Sequence, residues 1–140
     1  MKTSYLCKIV LWAVFAFAWA GCSSDSGGTA FIPGFNATWA VEGTNGEYRI
    51  DLQPNEANQN VPSGVFEGEE QNDNDPTLDG NPLSGSFNGL DIEFTIVRDP
   101  QDTHKNVRYN GKMEPTSDTN NRIIKINLTS SEGNLVLVPL

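Results

Sequence analysis

Cysteine, histidine and basic residues are all scarce in this 140-residue chain. The two cysteines, Cys7 and Cys22, lie near the amino terminus, and His104 is the sole histidine. From residue 23 onward there is no thiol for a disulfide, a zinc site or a cysteine nucleophile, and one imidazole is a poor supply for transition-metal or Ser-His-Asp chemistry. Lys and Arg number 9 against 18 Asp and Glu, a net charge of −9. That balance excludes a protein that holds nucleic acid by neutralising phosphates. Long apolar runs are missing as well. The longest, Ile9 to Ala20, is 12 residues, short of the about 20 needed to cross a bilayer. What is plentiful is Gly (13) and Pro (8), which punctuate strands, break helices and favour a turn-rich β domain.

The apolar run follows Lys2 and Lys8 and ends in Ala20-Gly21-Cys22. A basic start, a core of roughly 7 to 15 apolar residues and small residues at the end are the marks of an export signal. The segment Trp19-Ala20-Gly21-Cys22 resembles the lipobox of bacterial lipoproteins, with Trp19 where Leu is usual. The resemblance implies a signal-peptide helix over residues 1–21, cleavage before Cys22, and diacylglyceryl and palmitate-type acyl chains on that residue. It also implies a lipid anchor in a cell envelope. In a Gram-negative envelope the outer membrane is the default destination, since Ser23 is not the Asp of inner-membrane retention. Residues 22–34 begin with Ser23-Ser24-Asp25-Ser26-Gly27-Gly28-Thr29 and read as a flexible tether, and residues 35–140 as one domain. Cleavage removes Lys2 and Lys8 and leaves 119 residues with 7 basic and 18 acidic groups, a net charge of −11.

Beyond the tether the apolar residues alternate with period two. Eight strands are expected: Asn36–Val41, Glu47–Gln53, Ser63–Glu70, Leu83–Phe87, Leu90–Val97, Asn106–Glu114, Arg122–Thr129 and Asn134–Leu140. Turn signals such as Asn45-Gly46, Asn88-Gly89 and Ser131-Glu132-Gly133 separate them. Asn110-Gly111 is kept inside one strand, because a hairpin there would leave arms of about three residues. The form Ser-Gly-x-Phe-x-Gly occurs at Ser63–Gly68 and again at Ser84–Gly89. Glycines beside large rings permit the sharp coiling a small barrel needs.

Eight sequential strands on short links predict an all-β, antiparallel up-and-down barrel, with an open β-sandwich as the alternative. Trp39, the hairpin Leu83 to Thr95 and Tyr109-Asn110-Gly111 give the chain a resemblance to small lipocalin-like and avidin-like barrels. The alternation turns Trp39, Tyr48, Phe66, Phe87, Phe94, Tyr109 and Met113 inward, with Ile50, Leu52, Leu83, Ile92, Ile96, Val107, Ile124, Ile126 and Leu128, and places no carboxylate there. Such a lining makes either a packed core or a cavity for an apolar ligand.

Polar candidates are few. Asp73, Asp75 and Asp79 sit in an acidic segment that looks like the first half of a calcium loop, but the twelfth position from Asp75 is Ser86 where a bidentate Glu is needed, so a solvated loop is expected. His104 has Asp102 nearby but no nucleophile or oxyanion motif, which predicts an exposed loop histidine and no enzyme. No cofactor is expected. The sequence therefore predicts a structural or interaction module of the envelope, with a membrane contact through Cys22, no nucleic acid, and an envelope protein as partner. The alternative is a binding protein carrying a small apolar ligand inside the barrel.

Overall fold

The computed structural model describes residues 30–118 and 120–140. The expected signal segment, Cys22 and most of the tether lie outside the described residues. The eight strands are β1 (Ala37–Val41), β2 (Tyr48–Pro54), β3 (Ser63–Asn72), β4 (Asn81–Asn88), β5 (Asp91–Ile96), β6 (Val107–Pro115), β7 (Ile123–Ser130) and β8 (Gly133–Pro139). Each pairs antiparallel with the next, and β8 pairs with β1, so the sheet is a closed barrel and not an open sandwich. β6 runs unbroken through Asn110-Gly111.

Consecutive pairing in a closed ring gives the barrel two ends. Residues 42–47, 73–80, 97–106 and 131–132 link strands at one end, called the mouth. Residues 55–62, 89–90 and 116–122 link them at the other. The chain enters at this second end. Gly34 N–H donates to the Asn121 carbonyl (3.0 Å) and its own carbonyl accepts from Ile123 N–H (3.2 Å), which lays the entering segment across the foot of β7. Phe35 then turns into the barrel, where Trp39 Nε1–H donates to its carbonyl at 3.0 Å.

Side chains fill the interior. Ile50, Leu52, Ile96, Ile126 and Leu137 are fully buried, and Trp39, Phe66, Phe87, Phe94, Tyr109 and Met113 join them in one cluster. Five rings form a relay along the barrel. Phe87 meets Phe35 at a centroid distance of 5.0 Å, Phe35 meets Phe66 at 5.5 Å and Phe66 meets Phe94 at 6.1 Å, all edge to face, and Phe94 stacks on Tyr109 at 5.3 Å. Each such pair contributes about 0.5–1.5 kcal/mol beyond the area it buries.

The repeated Ser-Gly-x-Phe segments turn out to be partners. In the β3–β4 register Gly64 faces Phe87 and Phe66 faces Gly85, so the glycine of each copy opposes the ring of the other. A Cβ on Gly85 would lie 2.7 Å from Phe66 Cζ and 2.2 Å from the Glu93 carbonyl oxygen. The ring and the neighbouring strand therefore occupy the space that any larger residue would need.

The alternation fails in β7. Ile124 was expected inward, but it is 43% exposed and Ile123 is buried instead. The cause is a bulge: Glu114 pairs with Lys125 and Pro115 with Ile123, leaving Ile124 as an extra residue without an opposite number. One inserted residue moves every side chain on one side of it to the other face.

Candidate functional site

The second departure from the alternation expected from the sequence defines the site. β3 turns Phe66 inward, and a period of two carries Gly68 and then Glu70 to the same side. Glu70 is fully buried, the sole buried charged residue among those described, and so corrects the expectation that no carboxylate faces inward. It sits near the mouth between Ile50 of β2 and Asn81 of β4.

Four donors converge on it. Glu70 Oε1 accepts from Tyr48 Oη–H at 2.6 Å and from Arg98 Nη2–H at 2.8 Å, while Oε2 accepts from Asn81 Nδ2–H at 2.8 Å and from Arg98 Nε–H at 3.1 Å. Arg98, just past the end of β5, thus grips the buried carboxylate with one edge of its guanidinium. Its remaining nitrogen Nη1 donates to both oxygens of Glu132 in the β7–β8 turn, at 2.7 and 2.8 Å. Exposure rises along this chain of charges, from none at Glu70 through 15% at Arg98 to 48% at Glu132. One cluster therefore ties together β2, β3, β4 and the two links that follow β5 and β7.

The electrostatics follow from the burial. Burial, then the hydrogen bond to Glu70 and its charge, raises the Tyr48 hydroxyl far above the ordinary phenol value, so Tyr48 remains a donor. Burial works against the charge on Arg98, but the hydrogen bonds to Glu70 and Glu132 outweigh it and the guanidinium is held protonated. Burial also pushes Tyr109 up.

Two clefts open at the mouth. One of about 600 Å³ is lined by Pro76, Thr77, Leu78, Asn81, Arg98, Asp99, Lys105 and Glu132. The other, about 210 Å³, is lined by Tyr48, Leu78, Arg98, Tyr109, Glu132, Gly133, Asn134 and Leu135. Leu78, from the 3-10 turn Pro76–Leu78, stands between them. That turn is capped by Asp75, which accepts from Thr77 N–H (2.9 Å) and Thr77 Oγ1–H (2.6 Å), and is tied to β4 by Asn81 Nδ2–H on the Thr77 carbonyl (2.9 Å).

The residues singled out in the sequence fall into three groups. Trp39, Phe66, Phe87, Phe94, Tyr109 and Met113 are packed in the core, and Tyr48, half-buried, joins the mouth cluster. Asp73, Asp75 and Asp79 share a loop, yet each faces a different partner: Asp73 pairs with Arg49 (2.6 Å), Asp75 caps its turn, and Asp79 accepts from Asn72 N–H (3.3 Å). The bond to Arg49 holds the Asp73 carboxyl below its usual range, and the bonds from Thr77 do the same for Asp75. Among the described residues no group of three or more His, Cys, Asp or Glu is arranged to hold a metal. His104 is exposed in the turn Thr103–Lys105, and Asp102 accepts from its backbone N–H at 3.1 Å. Glu70 could have been found by extending the parity of Phe66 by two steps. Arg98 and Glu132 carry no such signal, because both lie outside strands.

Comparison of the chain with protein-family models, with curated proteins and with solved structures finds no match.

Proposed function

We propose that this protein is a lipoprotein of a bacterial cell envelope, anchored at the outer membrane by acyl chains on Cys22, and that it acts as a non-catalytic interaction module. The observation that carries this reading is the place where the chain joins the barrel. Residues 30–36 arrive at the end opposite the mouth. An anchor upstream of them leaves the mouth turned away from the lipid.

The basic start, the apolar run and the small residues before Cys22 support export and acylation. One acyl chain holds a protein only marginally and two or more hold it stably, which is what a triacylated cysteine provides. The eight peptide steps from Cys22 to Ala30 reach at most roughly 29 Å, so an anchor on Cys22 would keep the start of the domain within that distance of the lipid. A filled interior supports action through the outer surface and the mouth over carriage of an apolar ligand inside. Replacing Cys22 with Ser is expected to move the protein from the membrane fraction to the soluble fraction and to abolish labelling by radioactive palmitate. Persistence of the variant in the membrane would refute the anchor.

A further inference from the structure

We propose that the mouth is a binding site for a neutral, hydroxyl-rich ligand of the saccharide class. The proposal rests on the interaction-module reading for its setting and names the site and ligand through which the module works.

Acidic residues outnumber basic ones at the mouth, so charge there selects against anions, and the Arg98 guanidinium already fills the cation position between Glu70 and Glu132. The cations lining the two clefts, Arg98 and Lys105, are each already matched, Arg98 to Glu132 and Lys105 to Asp99 at 2.9 Å. An anion would have to displace a carboxylate, and a cation would have to displace a guanidinium that Glu70 holds from beneath. A hydroxyl displaces neither. It donates to a carboxylate and accepts from an N–H at once, and paired Asp, Glu, Arg and Lys groups offer both within one hydroxyl's reach.

The remaining capacity is suitable. Arg98 uses Nε–H, one Nη2–H and Nη1 on its two carboxylates, which leaves one of its five N–H donors free. Asn81 spends Nδ2 on Glu70 and the Thr77 carbonyl and keeps its Oδ1 as an acceptor. Asn134 adds an amide at the second cleft. Leu78, Pro76, Leu135 and the half-buried ring of Tyr48 provide apolar surface for the C–H face of a sugar ring. The larger cleft lies within the roughly 300–1,000 Å³ typical of small-ligand sites. The buried grip of Glu70 on Arg98 fixes the central donor before any ligand arrives, so little ordering remains to oppose binding.

Saturation-transfer NMR on the full-length lipoprotein in lauryldimethylamine oxide micelles, a sugar-free detergent, tests this with cellobiose, maltotriose and the N-acetylglucosamine trimer as probes. Transfer to the ring protons of at least one saccharide is expected, with shifts at Arg98 Nε–H and Asn81 Nδ2–H. Glu132→Gln keeps the side-chain volume at an exposed position and should weaken binding about tenfold, whereas Arg122→Gln, at the opposite end, should leave it unchanged. Absence of transfer to all three probes, indifference to Glu132→Gln, or binding of a hexalysine peptide at the mouth in their place would overturn the proposal. Fractionation of the Cys22→Ser variant is read separately, so loss of the anchor and loss of saccharide binding are independent outcomes.

Discussion

Arg98 neutralises a carboxylate that is cut off from water, and its value to the fold follows from that position. Removing one member of a buried ion pair leaves an uncompensated charge and costs about 3–5 kcal/mol, whereas replacing both members with apolar groups is often neutral. Arg98→Leu is therefore expected to lower stability by about 3–5 kcal/mol in urea denaturation at neutral pH. The double variant Glu70→Leu with Arg98→Leu should recover most of the loss. Equal stability of the single variant and the parent would show that Glu70 is satisfied without Arg98. Tyr48 makes a second prediction. Its hydroxyl is raised in the folded state by burial and by Glu70, so the native protein retains that proton where unfolded tyrosine, near 10, has released it. The native state then binds more protons than the unfolded one, and stability falls as pH rises above about 10. Tyr48→Phe should lower stability at neutral pH and flatten that alkaline decline in the denaturation midpoint; an unchanged slope would remove Tyr48 as its source. Of this cluster only Tyr48 is identified by simple alternation. Glu70 follows from parity once charge is disregarded, and Arg98 needs the fold.

Within a strand, alternation is a reliable guide until a residue is inserted. β2 and β5 follow it throughout, with Ile50 and Leu52 inward on one and Ile92, Phe94 and Ile96 inward on the other. β7 follows it from Ile126 onward and breaks at the bulge, because Ile123-Ile124 offers two equivalent apolar residues and composition cannot say which is extra. The two side chains separate sharply in energy. Ile123→Ala should cost about 2–5 kcal/mol by leaving a cavity, and Ile124→Ala, half in water, less than about 1 kcal/mol. Parallel denaturation curves decide this, and a larger cost at Ile124 would place the bulge elsewhere. The β3–β4 pair shows the opposite case. Its repeat is visible in the sequence as two similar hexapeptides, but its purpose, a glycine opposite each ring, depends on a register that only the paired strands disclose.

For the whole molecule, strand number and order were legible because each strand pairs with its neighbours in sequence and each turn carries a local signal. Closure was implied by the count of eight, and the structure supplies it through Trp39 with Pro139, Ala40 with Val138 and Val41 with Leu137. Phe35 was not legible. It precedes β1, belongs to no alternating run, and becomes a core residue because its backbone carbonyl is bound by Trp39 and its ring is held by Phe66 and Phe87. The distribution of ionic groups is likewise a product of topology, since the separate acidic segments Asp73–Asp79 and Asp99–Asp102 and the turn residue Glu132 meet at one end only after the strands have alternated direction.

Entry at one end and clefts at the other also determine how the barrel carries load. A pull between residue 30 and the mouth acts along the strands. In an antiparallel ladder the hydrogen bonds lie perpendicular to the strands, so this tension strains the bonds of β1 to β2 and β8 together, in shear, where a sideways pull would break them one after another. A pull applied between residue 30 and the mouth thus meets the barrel in its mechanically stiff direction.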